Sequence, residues 1–402
     1  MRKKLGMIVI LLLWIALVGC SASSPSNETK SSQAKPSPSG KAEPASGNAG
    51  DMVKIGVVLA ETGPASGLGK PEIDAIRLVK KKLEAQGGMI GGKKVEIIMK
   101  DYETDDTKAV LAMRKLIADE GVSVVYGATQ VSTSIALRDI ALKNNVVFLS
   151  GAPIGQLGET VFQTGQTSEV LIQQMIDYLK SKNIHTVAWI NARDAFGQSG
   201  LPIMKKLAEP NGIEIVDAED FDASATDMTV QLSKIKAKNP GALIVWSRTP
   251  GAGVVVKNFK QLGFTIPMLQ SQAAANDAFL KQVGADGEGV LVQGSKASVA
   301  EQLPDSEYKN RLIQHNQEMM AEYNYPGDIF TTKATDAMNI IFKAIEAGNT
   351  TSDQIRDFLE NQLHEYQGLS GTFRYTKENH AAVDDNGVSL LPIHNGAWSY
   401  SK

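Results

Sequence analysis

Residues 53–60 read VKIGVVLA, residues 63–71 GPASGLGKP and residues 72–84 EIDAIRLVKKKLE. The first is a short run rich in Val and Ile. The second is a turn of small residues. The third keeps Ile73, Ile76, Val79 and Leu83 at helical spacing. The same alternation follows: residues 95–100, 122–126 and 146–150 are further apolar runs, and residues 107–119 place Val110, Met113, Leu116 and Ile117 on one helical face. Strands alternating with amphipathic helices specify a parallel sheet covered on both sides.

The pattern restarts after Gly165. Strands are expected at 186–190, 213–218, 242–246, 266–269 and 289–292, with helices at 169–181, 197–209, 227–237 and 253–262. A helix-rich stretch follows at 305–323, 330–347 and 352–363, and residues 369–400 are β-like. With few strands of its own, the helical stretch packs most simply on the first sheet, which makes the first domain discontinuous. Ligands of such sheets lie beyond the carboxyl ends of the strands, and two facing lobes enclose a cleft there.

The chain's 402 residues are enough for two or three domains. Composition differs sharply between the ends. Residues 1–50 carry a net +4, so the rest carries −7 of the overall −3. Arg2-Lys3-Lys4 precedes a fourteen-residue apolar stretch, Leu5 to Val18, shorter than the roughly 20 residues of a bilayer span. This reads as an export signal; the alternative is a buried N-terminal helix. The stretch ends Leu17-Val18-Gly19-Cys20, which resembles the bacterial lipobox. That resemblance implies a signal peptide at 1–19 and a diacylglyceryl thioether on Cys20, a stable anchor to the extracytoplasmic face of a membrane. Residues 21–50 hold no aliphatic side chain larger than Ala. They form a disordered tether with a root-mean-square reach of about 30 Å.

Cys20 is the only cysteine, which excludes a disulfide framework, a cysteine zinc site and an iron–sulfur cluster. No basic field points to nucleic acid. The turn at 63–71 fails as a phosphate loop, because Pro64 replaces its first glycine and Pro71 its Ser or Thr. It fails as a dinucleotide loop because Glu72 replaces the third glycine. The histidines lack metal-ligand spacing, and Gly-x-Ser-x-Gly is absent. Asp105-Asp106 and Asp384-Asp385 fit helix starts and turns rather than paired acids. Neither catalysis nor a cofactor is expected.

Several segments, taken together, resemble one family. They are VKIGVVLAETGPASGLGK (53–70), QGGMIGGKKVEIIMKDYETD (86–105), VYGATQVSTSIA (125–136), FLSGAP (148–153), DAFG (194–197), DMTVQLSKIKAKNP (227–240) and GLSGTFRY (368–375). In order and spacing they are similar to the branched-chain amino-acid-binding proteins of ABC transporters, the type I solute-binding proteins. The resemblance covers residues 52–400. It implies an α/β fold of two Rossmann-like lobes with parallel sheets, joined by three hinge crossings and closing over a small ligand, the closed form being recognised by ABC permease subunits. The lobes are expected at 51–165 plus 295–370 and at 166–294 plus 371–402.

Carried over residue by residue, the resemblance implies ligand contacts from Ser66, Leu68, Val131, Ser132, Ala152, Ile154, Phe196 and Gln272. Several depart from the family's pattern. Val131 stands where a Ser hydroxyl meets the ligand carboxylate, with Ser132 beside it. Ile154 replaces a carboxylate-binding Thr, Phe196 a covering Tyr, and Gln272 the acid that pairs with the ligand ammonium. A buried ammonium without a carboxylate partner is costly. Arg248 is either an exposed surface residue or a cation for a carboxylate, and Trp246 either core or a stacking platform. Together these substitutions favour a small organic acid without an amino group, an aromatic or branched aliphatic carboxylate, over an amino acid. A sensory receptor lipoprotein is the alternative function, and an α/β hydrolase a weaker one.

Overall fold

Met52–Leu59, mostly Val, Ile and Leu, forms β1, a central strand of the first sheet. The computed structural model describes residues 52–400; the export segment, Cys20 and the tether lie outside the described residues. In chain order the first block is β1, α1 (Ser66–Ala85), β2 (Met89–Ile90), β3 (Lys93–Asp101), α2 (Asp106–Lys115), β4 (Val124–Gly127), α3 (Val131–Asn144), β5 (Val147–Ser150) and β6 (Val161–Gln163). The sheet runs β2-β3-β1-β4-β5-β6, parallel except for the β2–β3 hairpin. Every residue of β4 and β5 is buried, as strands covered on both faces require.

The second block is α4 (Ser168–Ser181), β7 (Thr186–Ala192), α5 (Ala195–Ala208), β8 (Glu214–Phe221), α6 (Thr229–Ala237), β9 (Ala242–Trp246), α7 (Gly251–Gln261), β10 (Met268–Gln270), α8 (Asp277–Val283) and β11 (Leu291–Ser295). After it come α9 (Glu307–Tyr323), α10 (Ile329–Glu346), α11 (Ser352–Asp357), the β12 (Tyr366–Gln367) and β13 (Thr372–Phe373) pair, then β14 (Val388–His394) and β15 (Ala397–Trp398). The second sheet runs β15-β14-β11-β10-β9-β7-β8, with β14 and β15 antiparallel at one edge. This is the expected α/β class with two mainly parallel sheets.

Met319 of α9, Ala337, Ile340 and Ile341 of α10, and Ile355 of α11 share one core with Ile55, Ile97 and Val124 of the first sheet. The chain therefore leaves the first sheet after β6, returns after β11 and leaves again before β14. The last passage falls at 384–388, later than the expected break at 370/371. Phe373, Tyr375 and Val383 still belong to the first core, and the Tyr375 hydroxyl donates to the Gln163 carbonyl at 2.6 Å. Among the described residues no helix is long and apolar enough to cross a membrane.

Several boundaries shift from the sequence pattern, two of them at segments that bear on the cleft or the sheet edge. Helix α1 starts at Ser66, six residues before Glu72, so Gly67, Gly69 and Pro71 are helical rather than turn. Gly69 has to be small because a Cβ there would sit 2.1 Å from the Ala60 carbonyl oxygen. The expected strand at 289–292 lies at Leu291–Ser295.

Candidate functional site

In each sheet the chain order reverses beside its first strand. In the first sheet β1 is flanked by β3 and β4, in the second β7 by β8 and β9. Loops leaving the carboxyl ends of the two strands at a reversal diverge and open a crevice. The two crevices face each other. Leu68, Thr129, Gln130, Val131 and Ser132 come from the first lobe, and Asp194, Ala195, Phe196 and Arg248 from the second. Ala152 and Pro153 after β5, Gln272 and Ala273 after β10, and Phe330 and Lys333 of α10 complete the lining. They enclose about 80 Å³, well below the roughly 300–1,000 Å³ of typical ligand pockets, so a solute enters only if the lobes part.

Seven of the expected residues meet here: Leu68, Val131, Ser132, Ala152, Phe196, Arg248 and Gln272. Three do not. Ser66 faces a separate hollow with Lys70, Asn276 and Tyr325; two residues apart on a helix, Ser66 and Leu68 are rotated by roughly 200° and point to different sides. Ile154 faces a groove at 153–159, turned there by its amide, which donates to Gln163 Oε1 at 3.1 Å. Trp246 is core: it is wholly buried, stacked on Trp189 at 5.7 Å and on Phe196 at 5.3 Å. Its ring supports Phe196 from behind rather than touching the cleft.

Arg248 is not a free surface cation. Its side chain is 22% exposed, and Nε donates to Asp194 Oδ2 at 3.2 Å. Asp194 Oδ1 meanwhile accepts from the Gly197 amide at 2.8 Å, capping α5. Among the described residues the two terminal nitrogens of the guanidinium have no hydrogen-bond partner. Gln272 opens a short 3₁₀ turn, and its Oε1 is buried without a hydrogen-bond partner among the described residues. No side chain caps α3, so its first amides end openly at the Val131–Ser132 wall.

Lys333 and Phe330 escaped the sequence reading. An Asp328–Thr331 capping box starts α10 and brings both into the cleft. Burial raises the Asp328 carboxyl to about 6, while the amides of Thr331 and Phe330 and the Lys333 charge pull it back. The available signal was a pair of charges, Lys333 and Asp336, among the mostly apolar buried residues of the helix. Among the described residues no group of three or more His, Cys, Asp or Glu is placed to hold a metal ion.

Two mainly parallel α/β sheets with facing reversal points around a narrow cleft of polar, apolar and aromatic side chains are the architecture of a two-lobed binding protein. The periplasmic binding protein family profile matches residues 52–389, and the chain belongs to that family. Leu/Ile/Val-binding protein homolog 3 of Brucella melitensis is 22% identical over 81% of this chain and 87% of its own length. An extracellular ligand-binding receptor from Rhodopseudomonas palustris superimposes with a TM-score of 0.80 at 24% identity, over 87% of this chain and all of its own. A solute-binding protein of an ABC transporter from the same species, solved with 3,4-dihydroxybenzoic acid, gives a TM-score of 0.72 at 19% identity over 87% of this chain and 95% of its own.

Proposed function

We propose that the chain is the extracytoplasmic substrate-binding lipoprotein of an ABC importer, anchored through Cys20 and capturing a small organic acid. The cleft between the two lobes carries this reading, since a solute reaching both walls binds the closed arrangement better and shifts the population toward it. Family membership and the named relatives support transport. Cys20 and the basic, apolar leader before it support the anchor. Cys20→Ser is expected to abolish incorporation of labelled palmitate into the protein; undiminished incorporation, or none in the unaltered protein, would overturn the lipid anchor.

The acid preference rests on Gln272 and Arg248. Gln272 offers the solute a neutral acceptor and no negative charge, which leaves an ammonium poorly served. Arg248 has terminal nitrogens without a partner among the described residues, and their fork matches a carboxylate. Leu68, Val131, Phe196 and Phe330 suit an apolar or aromatic body.

A thermal-shift screen of the full chain is expected to show a rise in melting temperature with benzoate-type or branched aliphatic acids, because a solute that binds only the folded state stabilises it by mass action. Arg248→Ala is expected to abolish that rise. Micromolar binding of leucine, isoleucine or valine with no response to these acids would overturn the acid assignment. Silence toward every organic acid and amino acid would overturn the solute-binding role.

A further inference from the structure

The deepest charge in the cleft is the ammonium of Lys333, a residue only 8% exposed. Nζ lies 3.0 Å from Glu72 Oε1 and 2.8 Å from the Gly151 carbonyl oxygen, with the Phe330 ring centroid at 4.8 Å. Glu72 is fully buried. It also accepts from the Tyr126 hydroxyl at 3.3 Å and from Thr129 Oγ1 at 2.8 Å. Thr129, Phe330 and Ala152, the neighbour of Gly151, all line the cleft, so the ammonium stands within its wall.

Two features separate this pair from ordinary core packing. First, an ammonium has three donors, and Glu72 and Gly151 occupy two of them. Second, a buried ion pair is no better for stability than well-packed apolar groups of the same volume, so stability alone does not account for a charged pair at this place. Glu72 is served by two hydroxyls besides Lys333. The positive end of α3 opens on the same wall, and together these favour an anion beside the ammonium.

Resting on the solute-binding reading above, we propose that Lys333 is a specificity-determining residue that binds the solute's carboxylate from the first lobe, opposite Arg248 on the second. A carboxylate then touches both lobes at once, and its charge favours closure.

The test compares each acid with its uncharged primary amide by calorimetry: benzoate with benzamide, 4-methylpentanoate with 4-methylpentanamide, and leucine with leucinamide. In the unaltered protein the acid is expected to bind more tightly. In Lys333→Met the acid-over-amide ratio is expected to fall about 10- to 100-fold, the loss of one charge-assisted hydrogen bond. Because Lys333→Met strands the Glu72 charge, the double variant Lys333→Met/Glu72→Gln is measured as well; it removes both charges together and is expected to show the same fall. A purely structural Lys333 would weaken acid and amide alike and leave the ratio unchanged. An unchanged ratio in a protein that binds the acids overturns the role of Lys333 alone. Binding of none of these compounds overturns the acid assignment and the role of Lys333 with it.

Discussion

Asp336→Ala is expected to lose about 3 kcal/mol of stability at pH 7, and more in acid. Asp336 is wholly buried on α10. It accepts from the Leu369 amide at 2.9 Å, the Ser370 amide at 2.7 Å and the Ser370 hydroxyl at 2.6 Å. Gly368 packs so closely that a Cβ there would lie 2.5 Å from Asp336 Oδ2. With the Tyr366 hydroxyl, which donates to Oδ1 at 3.4 Å, four donors are stranded, and at about 1.5 kcal/mol each they would cost about 6 kcal/mol. Against this, burial raises the carboxyl from 3.8 to about 6, so its charge at pH 7 already carries a penalty of about 3 kcal/mol that the variant removes. The sign of the pH dependence follows. Between about 6 and 3.8 the native carboxyl binds a proton that the unfolded chain does not, so its contribution rises as pH falls. The gap between the unaltered protein and the variant therefore widens toward pH 4 by up to about 3 kcal/mol. Urea unfolding at pH 7 and pH 4.5 measures it; a gap that narrows in acid would refute the assignment.

The same substitution tests how the lobes are joined. Gln166, on the first passage between the sheets, donates to the Ser370 carbonyl at 2.6 Å and to the Asp384 carbonyl at 2.8 Å, both on the way to the last passage. Asp336 thus fixes one end of a knot between two hinge segments, three residues along α10 from Lys333 in the cleft.

Where periodicity carries the information, the fold was legible. Strands such as β1, β4, β5 and β9 are continuous apolar runs, and α4 and α10 are amphipathic with clear stripes, so element type and lobe count followed directly. Helix α3 was harder to see because it buries Thr133 and Ser134 beside Val131, Leu137 and Ala141, which blurs the apolar stripe. Strand β6 has three residues, too few for any period. The start of α1 was misplaced because Gly67, Gly69 and Pro71 are turn formers by propensity, and tertiary contact with Ala60 decides otherwise.

The site was legible where a residue sits within a few positions of a strand's carboxyl end, as Val131, Phe196 and Arg248 do, because topology alone brings those segments together. Trp246 was ambiguous because it is the last strand residue rather than the first of the loop, and strand alternation sends it into the core. Lys333 lies nearly two hundred residues from the loops it meets. Nothing local places α10 beside the cleft, and its only trace is a charge on a buried face.

Gly197→Ala carries the second large effect, and it needs only one added methyl. The first turn of α5 abuts the end of β7, and a Cβ on Gly197 would lie 2.0 Å from the Ala192 carbonyl oxygen and 2.8 Å from its carbon. The obstruction is backbone, so no rotamer change relieves it; helix and strand must separate. Overpacking of this kind costs typically 1–3 kcal/mol, and with no flexible partner the upper end, about 3 kcal/mol, is expected. The displacement also moves Asp194 and Phe196, the residues on either side of Ala195 that α5 holds in the cleft, so solute affinity is expected to fall with stability. Gly67→Ala is the matched control. It also lies in the first turn of a cleft helix, but nothing stands within 4 Å of its Cβ, and replacing helical Gly by Ala gains up to about 1 kcal/mol where space allows. If close approach is what each position requires, Gly197→Ala unfolds at clearly lower urea while Gly67→Ala unfolds at equal or higher urea. Equal midpoints for the two variants would show that α5 and β7 have room to yield, and that glycine at 197 does not set the geometry of the cleft.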